Sequence, residues 1–298
     1  MFANPYESLK HKNEEWLRAN FHTHAGTGPN TCGANEIDDV ISAYKDAKYD
    51  VLTISNHDIY TDVSEYQEKY DMILINGYEY SNHPHMLCIG NKTAVEGAHK
   101  FAVNECLKEG GFVILCHPNW QRKEYWPWKD LLAMKGYTGI EIFNGVIFRL
   151  NGSGLATDTW DFLLSQGKLV WGFGSDDFHR WHDLARSWNM IYAEKKHESV
   201  RKSIDAGSFY VSTGLILHEF AFKNGTIRMS ATSKDNYVKE NKYLFIGKDG
   251  KILKEVTGEF GEYKLEGNEL YVRAQVISEH GAMLWTQPVY DESKFKRP

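Results

Sequence analysis

The chain has 298 residues, of which 42% are hydrophobic and 25% charged, and its formal net charge is −6. This composition is typical of globular proteins and excludes extended disorder. The charge is spread along the chain without a basic run, which argues against binding to bulk nucleic acid. No window is apolar enough to cross a bilayer, and residues 1–16 lack the apolar core of a signal peptide. We therefore expect a cytoplasmic protein without a membrane partner.

Up to about residue 214, short β-rich runs alternate with helical patterns. The predicted strands cover residues 17–22, 49–55, 72–80, 85–90, 111–116, 139–143, 169–174 and 188–193. The predicted helices cover residues 36–48, 95–109, 160–166 and 197–206. Such alternation is typical of βα units around a parallel sheet, so residues 1–214 are predicted to form an α/β barrel.

The pattern changes after residue 214. Short alternating runs, separated by Gly, Asn and Asp turns, continue to about residue 286. They predict a small all-β sandwich domain over residues 215–298. No repeat or low-complexity linker separates the two parts, so we expect them to pack closely. The β-sandwich is also a candidate surface for a homo-oligomer.

The four cysteines follow no disulfide spacing, as expected in a reducing compartment. Cys88 and Cys116 lie in apolar runs and are predicted to be buried, as small hydrophobic residues usually are. Cys32 differs because it lies in a polar loop just after a His-x-His pair. It is therefore either an ordinary loop residue or part of a site.

Histidines and carboxylates recur at the ends of the predicted strands. His22-Thr23-His24 ends the first strand, and residues two apart on a strand share a face. The later members of the series are His57, Asp58, Glu79, His85, His117, Asp177 and His179. Charges in such places are costly unless they meet a metal or one another. Imidazole with carboxylate suits Zn, Mn or Fe, and the series offers enough ligands for two neighbouring ions.

These motifs, in this order, resemble those of the PHP family, the polymerase and histidinol phosphatase domains. The resemblance is carried by His22-Thr23-His24, Asn56-His57-Asp58, Glu79, Cys116-His117-Pro118 and Gly174-Ser175-Asp176-Asp177-Phe178-His179. The segments Tyr210-Val211-Ser212-Thr213-Gly214 and Trp285-Thr286-Gln287-Pro288 are similar to a carbaryl-hydrolase-like subgroup. The resemblance implies a distorted (β/α)7 TIM-like barrel whose mouth holds metal ions and hydrolyses phosphoesters.

The resemblance also implies a division of ligands between ions. The first ion would be held by His22, His24, Glu79 and Asp177, and the second by Glu79, His85 and His117. His57 and His179 would hold a third ion or, in its absence, bind and protonate the substrate. Members with three ions tend to carry a histidine where this chain has Asn30. Because a neutral amide is a poor ligand for a transition metal, we expect two divalent ions rather than three.

The resulting hypothesis is a metal-dependent hydrolase that cleaves a small phosphorylated molecule, either a phosphomonoester or a phosphodiester. A metal-bridging hydroxide would attack phosphorus. His179 or His57 would protonate the leaving group, with Asp58 orienting His57. Two divalent ions with Glu79, Asp177 and one hydroxide leave a net charge of about +1, which favours an anionic substrate.

Several further residues are candidates for binding the substrate. Trp120, in the aromatic loop after His117, could stack on a flat group or simply pack the loop. Asn144, at a predicted strand end, could donate a hydrogen bond to the substrate. Arginines bind phosphate through two hydrogen bonds, and the candidates are Arg149, Arg180 and Arg186.

Three alternatives stay open at this stage. The same metals could cleave a carbamate or a carboxylic ester. The chain could also be a non-enzymatic binding module that metals stabilise. Proofreading of DNA ranks last, because neither a polymerase region nor a basic groove is present in the sequence.

Overall fold

The strands and helices of the first 214 residues lie close to the predicted positions. The computed structural model describes residues 1–7, 9, 13–28, 31–233 and 240–298. In this part the strands are β1 (Phe2–Ala3), β2 (Glu15–Asn20), β3 (Val51–Leu52), β4 (Ile73–Leu74), β5 (Gly77–Tyr80), β6 (Met86–Ile89), β7 (Phe112–Leu115), β8 (Gly139–Asn144), β9 (Trp171–Ser175), β10 (Trp188–Ala193) and β11 (Phe209–Ser212). The α-helices are α1 (Ile37–Asp46), α2 (Ser64–Tyr70), α3 (His99–Lys108), α4 (Trp128–Ala133), α5 (Thr157–Ser165) and α6 (His197–Ala206).

The remaining residues add strands. These are β12 (Leu215–Lys223), β13 (Thr226–Ser233), β14 (Asn241–Ile246), β15 (Ile252–Gly258), β16 (Gly261–Lys264), β17 (Tyr271–Ile277), β18 (Met283–Thr286) and β19 (Val289–Asp291). Short 3-10 turns lie at Ile147–Arg149, Trp181–Asp183, Lys248–Gly250 and Glu292–Lys294. The mixed α/β class predicted from the sequence is confirmed.

Elements that the sequence pattern missed lack the signal on which the prediction depends. Helix α2 has no buried residue, so it shows no apolar periodicity. Helix α4 has only six residues, which is too short for a periodic pattern to stand out. Strand β11 lies where the sequence pattern predicts only the end of the barrel segment.

The prediction of regular βα units required parallel strands, but several strand pairs are antiparallel. Pairs β2–β3, β3–β4, β7–β8 and β8–β9 are parallel, whereas β5–β6, β6–β7, β2–β10 and β10–β11 are antiparallel. Strands β5 and β6 are joined by residues 81–85 alone. A connection this short cannot cross over a sheet, so it forces the antiparallel arrangement.

The strands divide into three sheets. One runs β5 to β9 in order, one contains β12, β13 and β16, and the largest joins β2, β3, β4, β10 and β11 to strands of the C-terminal part. Over the described ranges, no ladder closes into a complete barrel, and the (β/α)7 TIM-like barrel stays a prediction. Isolated parallel bridges between Thr23 and Phe178 and between His57 and Glu79 connect the largest sheet to the β5–β9 sheet at their strand ends.

The C-terminal strands pack directly on the rest of the chain. Strand β11 pairs with β18, and β1 pairs with β19. The fully buried Gln287 side chain accepts from the backbone N–H of Gly172 at 3.0 Å and donates to its carbonyl at 2.8 Å. These contacts cross residue 214, and the division into two domains there stays a prediction.

Among the described residues, no helix has the length and apolar character needed to span a membrane.

A buried ion pair joins helix α5 to strand β17. Asp161 accepts two hydrogen bonds from Arg273, at 2.7 and 2.6 Å, and a third from the Tyr271 hydroxyl at 2.9 Å. Both charged side chains are almost entirely buried. Removal of one partner would leave the other charge buried without compensation, which costs about 3–5 kcal/mol.

We therefore expect Asp161→Ala to lower the free energy of unfolding by about that amount, measured by urea denaturation. The matched control is Glu255→Ala, which breaks an exposed pair with Lys242 and should cost less than about 1 kcal/mol. Equal effects of the two substitutions would contradict a structural role for the buried pair.

Candidate metal centre

The predicted metal ligands meet where the strand ends of the two sheets face each other. His22 and His24 follow β2, Glu79 lies in β5 and Asp177 follows β9. Groups able to hold a metal ion include every predicted ligand, namely His22, His24, His57, Glu79, His85, His117, Asp177 and His179. Residues from distant parts of the chain thus form one cluster.

Glu79 lies at the centre of this cluster and is almost fully buried. Its Oε2 atom is 3.3 Å from Nε2 of His22 and 3.3 Å from Nε2 of His24. Its Oε1 atom is 2.9 Å from Nδ1 of His85 and 3.3 Å from Nε2 of His117. Oε2 also lies 2.8 Å from Nδ1 of His57, so the two carboxylate oxygens face separate groups of imidazoles, which suits a carboxylate that bridges two ions.

Asp177 completes the first group. Its Oδ1 atom is 3.2 Å from Nε2 of His22 and 3.3 Å from Nε2 of His24. Nε2 of both histidines and Oε2 of Glu79 are buried without a hydrogen-bond partner. Buried polar atoms are rarely left in this state. Lone pairs that converge on one point fit a divalent cation, so the residues present suit the metal that the sequence predicts.

The pKa shifts within the cluster also favour a bound cation. Burial alone would lower the pKa of His22, but the charges of Asp177, Glu79 and Glu141 raise it well above its usual value. Burial alone would raise the pKa of Glu79, but the charges of His22 and His57 lower it well below its usual value. The buried carboxylates thus create a negative potential, which a divalent cation would satisfy in place of protons.

Glu141 is a member of the site that the sequence analysis missed. Its Oε1 atom accepts from Nδ1 of His22 at 2.7 Å and from the Ser175 hydroxyl at 2.6 Å. Its Oε2 atom accepts from the backbone N–H of His117 at 2.7 Å and from Nδ2 of Asn144 at 2.9 Å. An ionised carboxylate only accepts, so Nδ1 of His22 carries the proton and Nε2 keeps its lone pair. A lone charge inside the apolar strand β8 was the available signal.

Asn144 ends strand β8, as predicted, and its side chain is hydrogen-bonded within the protein. Its amide nitrogen also donates to Oδ2 of Asp177 at 3.1 Å, and its oxygen accepts from the backbone N–H groups of Val146 and Ile147, both at 3.1 Å. The side chain is buried and committed to the protein. Asn144 thus contacts Asp177 directly, and its predicted contact with a substrate stays a prediction.

The second group is held together by a tyrosine. The hydroxyl oxygen of Tyr125 accepts from the backbone N–H of His85 at 3.1 Å and lies 2.7 Å from Nδ1 of His117. His117 and Asp177 both have positive φ angles, of 30° and 52°. Such backbone conformations are uncommon outside glycine and concentrate at functional sites.

A further group lies on the outer side of His24. Cys32, His57 and His179 surround it, and the Cys32 sulfur is 3.2 Å from Nδ1 of His24. Partial burial alone would raise the pKa of the Cys32 thiol, but contacts with His179, His24 and His57 lower it to about 4. Asn30, on which the expected number of ions depended, lies outside the described residues.

A cavity of about 170 Å³ opens above the cluster. His57, Glu79, His85, His117, Asp177 and His179 line its polar part. The remaining wall consists of Trp120, Val146, Ile147, Arg149 and Leu150. The Trp120 ring packs edge-on against His117, with ring centroids 5.1 Å apart. Trp120 therefore packs the loop and also lines the cavity, and its stacking on a flat group stays a prediction.

Other predicted site residues lie elsewhere. Arg180 and Arg186 are exposed and are not part of the cavity wall, whereas Arg149 is. The Asp58 carboxylate accepts from the backbone N–H of Ser81 at 2.9 Å and from the Ser81 hydroxyl. Nδ1 of His57 lies 2.8 Å from Oε2 of Glu79, and an orienting role of Asp58 for His57 stays a prediction.

The fold and the cluster define a mixed α/β protein with a candidate metal centre made of imidazoles and carboxylates. No family model matches the chain, and no curated protein matches its sequence. Its structure is similar to that of a two-domain protein from Bacteroides vulgatus that contains a predicted PHP-like metal-dependent phosphoesterase. The two sequences are 17% identical, the TM-score is 0.54, and the match covers 89% of this chain and 91% of that chain. A weaker similarity, with 13% identity and a TM-score of 0.46, covers 78% of this chain and 62% of a lesion-specific endonuclease from Pyrococcus furiosus. The first similarity shows a shared fold.

The Glu141 network generates a prediction for metal affinity. Glu141→Gln keeps the side-chain volume but turns an amide NH₂ toward one of the donors, so His22 is no longer held with Nε2 facing the cluster. Loss of such an outer partner typically lowers metal affinity about 10- to 100-fold. We expect a loss in this range for zinc, measured by competition with a chromogenic chelator.

The matched control is Ser175→Ala, which removes one donor to Glu141 but leaves its contact with His22. This variant should lose less affinity than Glu141→Gln. Unchanged zinc affinity in Glu141→Gln would show that Glu141 does not position the ligand.

Proposed function

We propose that the protein is a metal-dependent phosphoesterase that acts on a small phosphorylated molecule and uses two divalent transition-metal ions. The observation that carries this proposal is the convergence of buried, unpaired His22, His24 and Glu79 atoms beneath an open cavity. The first ion is assigned to His22, His24, Glu79 and Asp177, and the second to Glu79, His85 and His117. Zn, Mn or Fe suits this donor set.

When bound, such ions neutralise phosphoryl oxygens and lower the pKa of water to the neutral range. The protein's own residues hold and orient these groups. Glu79 offers one oxygen to each pair of imidazoles, Asn144 fixes Asp177, and Glu141 fixes His22. The geometry is therefore set before a substrate arrives, which is the preorganisation that electrostatic catalysis requires.

The charge of the site favours a phosphate over a neutral ester. Two divalent ions carry four positive charges, and the buried carboxylates of Glu79, Asp177 and Glu141 carry three negative charges. Glu141 adds one negative charge to the count predicted from the sequence, which includes a hydroxide, and so lowers the net charge of the site from about +1 to about 0. However, Glu141 lies behind His22 and accepts from several donors, so the positive charge of the ions faces the cavity.

Arg149 is the cavity residue best placed to bind a phosphate oxygen. Its guanidinium bonds Asp183 through Nε and Nη2, at 3.2 and 3.1 Å, and its side chain is 38% exposed. The pairing fixes the guanidinium at the rim while part of it remains accessible. His57 and His179 line the same cavity and face the leaving group, either directly or through an ion that they hold.

The direct test is phosphate release by the purified protein from a panel of phosphomonoesters and phosphodiesters. A chelator should abolish release, and Mn, Zn or Fe should restore it. Asp177→Asn should lower turnover at least about 100-fold, because loss of a ligand exceeds the 10- to 100-fold effect of an outer partner. Asp46→Asn, an exposed change at the end of α1, is the matched control. No turnover of any member of the panel by metal-loaded protein would contradict the proposal.

A second candidate is hydrolysis of a carbamate or carboxylic ester by the same ions. The observation that favours it is the apolar part of the wall, where Trp120, Ile147 and Leu150 could hold a flat, neutral group. Nitrophenyl phosphate and a naphthyl carbamate, assayed side by side, distinguish the two candidates.

Arg149 provides the matching variant. A hydrogen bond to a charged group is worth about 1.5–3 kcal/mol, so Arg149→Met should raise KM for the phosphate about 10- to 100-fold. It should leave KM for the carbamate nearly unchanged. Arg149→Lys, which keeps the charge, controls for the lost contact with Asp183. A larger rise in KM for the carbamate than for the phosphate would favour the second candidate.

A further inference from the structure

Cys32 lies closer to the metal centre than its position in a polar loop suggests. Its sulfur is 3.2 Å from Nδ1 of His24. One ligand atom each from His24, Cys32, His57 and His179 lie within 4.8 Å of one another. In a tetrahedral zinc site the ligand atoms are about 3.3–3.8 Å apart, so small side-chain rotations suffice to enclose an ion.

The hydrogen bonds around this group determine which ring nitrogens remain available. Nδ1 of His179 lies 2.8 Å from the carbonyl oxygen of Asp177, which can only accept, so Nδ1 donates and Nε2 keeps its lone pair. Nδ1 of His57 faces Glu79 at 2.8 Å, which leaves its Nε2. Two imidazole nitrogens are therefore free on the side of the sulfur.

His24 has a separate part in this arrangement. Its Nε2 faces Glu79 and Asp177, as the first ion requires, and its Nδ1 faces the Cys32 sulfur. A histidine that binds a metal almost always donates its other N–H to a neighbour. His24 thus connects the inner cluster to Cys32 without being a ligand on the outer side.

The resemblance to the PHP family already implies a third ion at His57 and His179, and we propose that the thiolate of Cys32 completes this site as its third ligand, where members with three ions tend to carry another histidine. This donor set is softer than that of the Glu79 cluster, so it selects Zn, Co or Fe over Mn or Mg. Three protein ligands leave a fourth position, and His57 and His179 line the cavity there. The site rests on the proposed function only through the contact of Cys32 with His24, which is a ligand of the inner cluster.

The chemistry of sulfur provides a readout that does not depend on activity. A cobalt ion bound to a thiolate has a sulfur-to-metal charge-transfer band in the near ultraviolet, which imidazole and carboxylate ligands do not produce. The full chain, stripped with a chelator and reloaded with cobalt, should bind three ions and show this band. Cys32→Ser should bind two ions and lack the band. Cys32→His should bind three ions, also without the band.

Two control variants identify which sulfur atom produces the charge-transfer band. Cys106→Ala removes a buried thiol on α3, and Cys116→Ala removes the thiol that lies within the inner group of His22, Glu79 and His117. The band should survive in Cys106→Ala and Cys116→Ala. Circular dichroism and thermal unfolding establish that every variant compared is folded, and Cys32 is exposed, so serine there should not disturb packing.

The outcomes separate this proposal from the proposed function. Two bound ions without a band in the unaltered protein, alongside phosphate release, would overturn the third site and leave the phosphoesterase intact. A band that persists in Cys32→Ser and disappears in Cys116→Ala would assign the sulfur to the inner cluster and overturn the proposal. Absence of any bound cobalt would contradict both.

Discussion

The buried carboxylate of Glu79 is the constraint on which the site depends. An isolated ionised carboxylate in a protein interior is costly, and Glu79 is about 1% exposed. His22 and His24 face one of its oxygens, and His85 and His117 face the other. Unpaired nitrogen atoms of His22 and His24 meet the unpaired Oε2 of Glu79, and a cation at that point would compensate the carboxylate charge.

The rest of the fold serves to hold this arrangement. The imidazoles come from segments distant in sequence, which only the meeting of two sheets at their strand ends brings together. Behind them, Glu141 accepts hydrogen bonds from His22, Ser175 and Asn144 and from the backbone of His117. A polar layer thus separates the candidate metal centre from the apolar core. This layer makes the ligand geometry a property of the fold rather than of flexible side chains.

The sequence predicted the cluster better than it predicted the fold. Histidines and carboxylates at strand ends indicate a metal site through their residue type and short spacing alone, as at His22-Thr23-His24. Strand direction depends on loop lengths, so the antiparallel pairs of β6 were not foreseen. Contacts between residues distant in sequence were also not predicted. No spacing in the sequence marks Glu141 as a partner of the site or indicates that Cys32 approaches His24. Among three candidate arginines, only the folded chain distinguishes Arg149.

The central claim is that Glu79 bridges two metal ions, and anomalous X-ray diffraction from crystals of the zinc-loaded protein tests it most directly. The account predicts two strong peaks, one among His22, His24, Glu79 and Asp177 and one among Glu79, His85 and His117. One oxygen of Glu79 should lie within about 2.0–2.2 Å of each peak. A cluster without peaks, in which Glu79 contacts only protonated imidazoles, would contradict the account.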